Sequence, residues 1–208
     1  MAKKTSTNEL IVLEPKIKYA TPINLDEQRE IYDEVLELRK EYENFPGLNN
    51  YFKFDEKTGI RGSNLAHMVL VNKVLSRKRE RTPTFDEAMQ LNEKRKLTNG
   101  VYRDYGVAIY NNSEPNKELA NKLVNLVKIR DWKLPVLAHF TSLDFDKDKL
   151  YKFGDDESQI ISGEEAIEEL KRFNYKENSG VQRLYRDGSG SWGADWDVLL
   201  GSYDDGRV

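Results

Sequence analysis

Two histidines, His67 and His139, are the only side chains in this sequence whose ordinary pKa lies near neutrality, and cysteine is absent. Thiolate nucleophiles, disulfides and cysteine- or histidine-rich zinc sites are therefore excluded. His67 sits among apolar residues, LAHMVLV, and reads as a packed helix position. His139 closes the apolar run LPVLAH, just before Thr141 and Ser142. A serine–histidine–aspartate relay through His139 would need a marked nucleophile, and no G-x-S-x-G turn occurs. The G-x-x-x-x-G-K-[ST] phosphate loop is missing too. No catalytic residue is assigned.

Carboxylates offer two weaker patterns. Asp131-x-Lys133 has the spacing of the carboxylate–lysine pair used by metal-dependent nucleases, and a magnesium ion there would need a further carboxylate such as Asp104 or Glu114. Asp144, Asp146, Asp148 and Asp155 follow part of the spacing of a calcium loop. Lys149 stands where that loop needs glycine, a strand rather than a helix leads in, and Lys147, Lys149 and Lys152 oppose a cation. We assign neither a metal nor any other cofactor.

Positive charge gathers in the middle of the chain. Residues 61–142 carry fifteen Lys/Arg against eight Asp/Glu, whereas both flanks are acidic and the whole carries −3. Arg77, Lys78, Arg79 and Arg81, then Lys94, Arg95 and Lys96, bracket two short helices and make a candidate nucleic-acid surface. The alternative is that basic and acidic faces meet inside one fold.

These groups must be positioned by the stretch Val101–Leu143. Tyr105–Tyr110 and Leu134–Phe140 read as strands. Between them Leu119, Leu123, Leu126, Val127 and Ile129 recur at helical spacing. A β-α-β unit of this length predicts a parallel pair with a crossover helix. Asn111, Asn112, Ser113, Thr141, Ser142 and Asp144 would then line a crevice beyond the strand ends, with His139 behind, suited to a polar or anionic ligand.

Around that unit, residues 1–8 read as a tail and Glu9–Tyr19 as an edge strand broken by Pro15. Asn24 caps a helix whose Leu25, Ile31, Val35, Leu38 and Tyr42 face inward and whose other face is acidic. Ser63 is the expected cap of the next helix, Thr84 and Glu87 form a capping box, and Ser162 and Glu165 form another, before inward-facing Ile167, Leu170 and Phe173. Val181–Arg186 and Ser191–Leu200 read as strands, with Trp192 and Trp196 on one face.

The fold class expected is α+β. Residues 9–208 form one domain: a helical part over 24–97, the β-α-β unit over 101–143, and an acidic part over 144–208 with antiparallel C-terminal strands. A small mixed sheet would be packed by four or five helices. The N-terminus lacks the apolar length of a signal peptide or a membrane span, which points to a cytoplasmic protein without membrane contact. The functional expectation is a non-catalytic binding or regulatory protein engaging protein or nucleic acid. Alternatives are a metal-assisted hydrolase or nuclease at the crevice, and an assembly subunit using the aromatic C-terminus.

Overall fold

A computed structural model describes residues 18–19, 24–42, 45, 47–48, 52–62, 64–93, 103–113, 116–147, 150–177, 179–187 and 189–195. The chain runs through β1 (Lys18–Tyr19), α1 (Leu25–Arg39), β2 (Lys53–Asp55), β3 (Gly59–Arg61), α2 (Leu65–Arg77), β4 (Glu80–Arg81), α3 (Phe85–Glu93) and β5 (Arg103–Ile109). It continues through α4 (Lys117–Ile129), β6 (Val136–His139), β7 (Leu143–Phe145), β8 (Tyr151–Phe153), β9 (Ile160–Ser162), α5 (Glu164–Leu170), β10 (Val181–Arg186) and β11 (Trp192–Asp195). Single 3-10 turns follow α1 and β6. The class is α+β. Residues 1–8, most of the expected N-terminal strand, Ser63, Lys94, Arg95, Lys96 and Trp196 lie outside the described residues.

Five strands form the main sheet in the order β11-β10-β5-β6-β9, and each neighbouring pair is antiparallel. The expected parallel pairing of β5 with β6 is therefore wrong: Gly106 faces His139 and Ile109 faces Val136 across opposed strands. The sheet is not mixed either. Parallel pairing occurs, among the described residues, between β1 and β4, outside the main sheet.

Two causes account for the misreading. Val107, Ala108 and Ile109, like Val136, Leu137 and Ala138, are all fully buried, because both faces of the sheet are covered. Such unbroken apolar runs are more typical of parallel strands. The helix also takes an unexpected route. Asn116 is bonded through its side chain to the Val181 carbonyl (2.8 Å) and N–H (3.3 Å), which anchors the start of α4 beside the Ile109 end. Its apolar face, Leu119, Leu123, Val124 and Val127, packs on β8 and β5. Long connections on either side let the chain return to the end it left.

Local chemistry sets the helix starts. Asn24 Oδ1 accepts the Glu27 N–H at 2.7 Å, as expected. The α2 cap is Asn64, whose Oδ1 accepts from His67 N at 3.0 Å. Thr84 N donates to Glu87 Oε2 at 2.9 Å, and Glu87 N donates to Thr84 Oγ1 at 3.5 Å, closing the expected box. Ser162 does not cap α5. It ends β9, and Gly163, at φ +65°, makes the turn into the helix. Ile167 and Leu25, expected inside, are 40% and 37% exposed.

The core joins α1, α2 and α4 to the sheet, with α2 buried almost all round. Trp192 packs on Tyr105 and Phe173 at ring separations of 5.2 and 5.8 Å. Among the described residues no helix is long and apolar enough to cross a membrane.

Candidate functional site

Antiparallel register takes the expected crevice apart. Asn111 follows the Ile109–Val136 end of the strand pair, whereas Thr141 follows the Gly106–His139 end, a span of roughly 20 Å at strand rise. Asn111 Oδ1 accepts from Ser113 N at 2.9 Å and Ser113 Oγ at 2.5 Å, a local turn that leaves Asn112 and Ser113 in solvent. Ser142 is fully buried and its carbonyl accepts the Gly154 N–H at 2.9 Å.

His139 is 1% exposed, and both ring nitrogens are engaged: Nε2 with the Pro83 carbonyl and Nδ1 with Thr141 Oγ1, each at 2.9 Å. Burial outweighs the bond to Pro83 and brings its pKa down to about 3. His67, stacked on Phe52 at 4.4 Å, is lowered to about 3 by burial and then by the Arg39 charge. Neither ring is charged near neutral pH.

The nuclease-like carboxylates do not converge. Asp131, at φ +56°, is the left-handed residue that closes α4: its N–H donates to Lys128 O, and Trp132 N donates to Val127 O, both at 3.1 Å. Asp104 lies toward the other end of β5, 3.5 Å from the Arg183 guanidinium. Glu114 lies outside the described residues. In the acidic stretch, Asp144 pairs with Lys73 at 2.7 Å and Asp146 pairs with Lys122. Among the described residues no group of three potential ligands could hold a metal. Residues 188–193, GSGSWG, have dinucleotide-loop spacing but fall at the β10–β11 turn, with no helix start to receive a pyrophosphate.

Most of the described basic cluster faces carboxylates. Arg77 lies 3.4 Å from Glu34, Lys78 lies 3.5 Å from Glu30, and Arg81 holds Glu87 through bonds of 2.5 and 2.9 Å. The acidic face of α1 thus meets the end of α2. Arg79, in a left-handed conformation at φ +58°, has no ion pair among the described residues. Two buried arginines give no signal in the strand pattern: Arg183 is 3% and Arg186 1% exposed, the latter donating to Asn92 Oδ1 at 2.8 Å.

Two clefts open on the surface. The first, of about 320 Å³, lies between the second half of α2 and residues 140–144 and 154–156. Lys73, Arg79, Thr141, Asp144 and Asp155 give it mixed charge, and its Lys73–Asp144 pair is already satisfied. The second, of about 270 Å³, is lined by Tyr110, Leu134, Pro135, Ile167, Tyr175 and Glu177, with Asn111 at its edge. Tyr110 and Tyr175 stack at 5.9 Å and 15°. The Tyr110 hydroxyl is shut off from solvent and has no hydrogen-bond partner among the described residues. Burial pushes its pKa well above the usual range, so it remains a phenol donor. Periodicity marked Tyr110 only as the end of a strand.

Comparison with protein families, with curated proteins and with solved structures finds no match to this chain.

Proposed function

We propose that this chain is a non-catalytic binding domain that engages a partner protein through the tyrosine-lined cleft. The observation that carries this reading is the Tyr110 hydroxyl, a buried donor without an acceptor in the wall of an otherwise apolar cleft. Leaving such a group unsatisfied costs about 1–3 kcal/mol, which an incoming acceptor would recover. Ile167, 40% exposed beside it, adds apolar surface of the kind that partners cover. Engagement of both nitrogens of His139, and the dispersal of the nuclease-like carboxylates, support binding over catalysis. For nucleic acid the support has narrowed to Arg79, because Arg77, Lys78 and Arg81 already face carboxylates. A cytoplasmic setting accords with the lack of cysteine.

Titration of isotope-labelled full-length chain with pooled peptides, followed by amide chemical shifts, tests the reading. Saturable shifts clustered at 109–111, 134–135, 167–170 and 175–177 are expected. Shifts confined to residues 72–81 and 141–156, or produced by duplex DNA with steep salt dependence, would overturn it.

A further inference from the structure

We infer that the occupant of the tyrosine-lined cleft is an extended, proline-containing peptide with Lys or Arg beside the proline. This rests on reading the cleft as a protein-binding surface and adds the chemistry of what it binds.

Three features select that occupant. The first is the donor. An α-helix uses its carbonyls internally, and a β-strand ligand needs an open sheet edge. Both strands beside the cleft, β5 and β6, are paired on each side, so no edge is offered. A polyproline II segment makes no internal hydrogen bonds, and its carbonyls stand free to accept from the Tyr110 hydroxyl.

The second is the surface. Tyr110 and Tyr175 form a stacked aromatic wall facing Leu134, Pro135 and Ile167, and flat proline rings pack well on such walls. That wall is held in advance. Tyr110 N donates to Gly180 O at 2.9 Å. The Gln182 side chain bonds the backbone N–H and carbonyl of Lys176 at 3.2 and 2.5 Å, fixing the segment that carries Tyr175. A rigid groove and a pre-extended ligand both reduce the ordering cost of binding.

The third is charge. Glu177 lies at the rim, 3.5 Å from the Tyr175 hydroxyl, and Glu164 stands one turn before Ile167 on α5. No Lys or Arg lines the cleft. A basic residue flanking the proline would meet these carboxylates.

Selection of a displayed random-peptide library on the full chain, followed by fluorescence titration of the leading peptide, tests the inference. Enrichment of proline next to Lys or Arg is expected. Tyr110→Phe should weaken binding about 5- to 10-fold while leaving Tm unchanged or higher, because only the unsatisfied hydroxyl is removed. Glu177→Lys should weaken it further, and Ser76→Ala, in the other cleft, should leave it unchanged. Enriched peptides without proline that still lose affinity on Ile167→Asp would overturn the proline inference and keep the protein-binding reading. No enrichment, or peptides indifferent to Ile167→Asp, would overturn both. Unchanged affinity in Tyr110→Phe would overturn the role of the donor.

Discussion

His139 Nε2 lies 2.9 Å from the Pro83 carbonyl oxygen, tying the end of β6 to the link between β4 and α3. With Nδ1 held by Thr141, the ring bridges two parts of the core rather than facing a ligand. His139→Ala should leave a cavity and an unsatisfied carbonyl, lowering stability by about 2–4 kcal/mol. Urea denaturation measures this, and a loss below about 1 kcal/mol would contradict the bridging role.

Acid should destabilise the fold earlier than its carboxylates alone would. His67 and His139 have folded pKa values of about 3, whereas unfolded histidine titrates near 6.5. Between those values the unfolded chain binds more protons. Their contribution is therefore complete above about pH 6.5 and is lost as pH falls toward 3. From pH 7 to pH 5 each should remove about 2 kcal/mol, and His67→Gln should reduce the slope by about half. A flat profile over that interval would show that the rings are already charged or already exposed.

Gly106 marks where β5 and β6 come closest. A Cβ built there would stand 2.1 Å from the Ala138 carbonyl oxygen and 2.9 Å from His139 Cα, both backbone atoms that cannot swing aside. It also sits by the register shift at Leu184/Tyr185 of β10. Gly106→Ala should cost about 3 kcal/mol or more, read by thermal unfolding and by loss of amide protection in β6. A neutral substitution would refute the strand register.

Lys73 is held 2.7 Å from Asp144 and 3.0 Å from the Tyr42 hydroxyl. Burial acts to lower its pKa, but the bonds to Asp144 and Tyr42 and the Asp144 charge outweigh it and hold the ammonium above its usual value. With both side chains partly shielded, a Lys73→Met and Asp144→Asn double-mutant cycle should give a coupling of about 1–2 kcal/mol. Additive effects would show that the pair contributes nothing.

Asp131 closes α4 in a conformation that glycine adopts without strain. Asp131→Gly should be neutral or stabilise by up to about 1 kcal/mol. If magnesium raised Tm of the original chain and not of the variant, the carboxylate would instead be a metal ligand.

Much of the secondary structure was legible from local chemistry. Asn24 and the Thr84–Glu87 pair announce their helices because capping is satisfied within a few residues. The α4 stripe shows in the spacing of Leu119, Leu123 and Val127. The two central strands were equally plain from their composition. Ser162 misled because capping also needs the backbone to leave the strand, which Gly163 decides.

Residue types and spacing determined that this chain builds an α+β domain without thiol chemistry, with apolar strands flanking an amphipathic helix. Only the tertiary structure decided that those strands oppose each other, that the basic end of α2 meets the acidic face of α1, and that Tyr110 comes beside Tyr175, sixty-five positions away. Periodicity reports which face of an element is buried. Strand direction, charge neutralisation and cleft formation depend on where the chain returns, and distant contacts such as Asn116 with Val181 set that point.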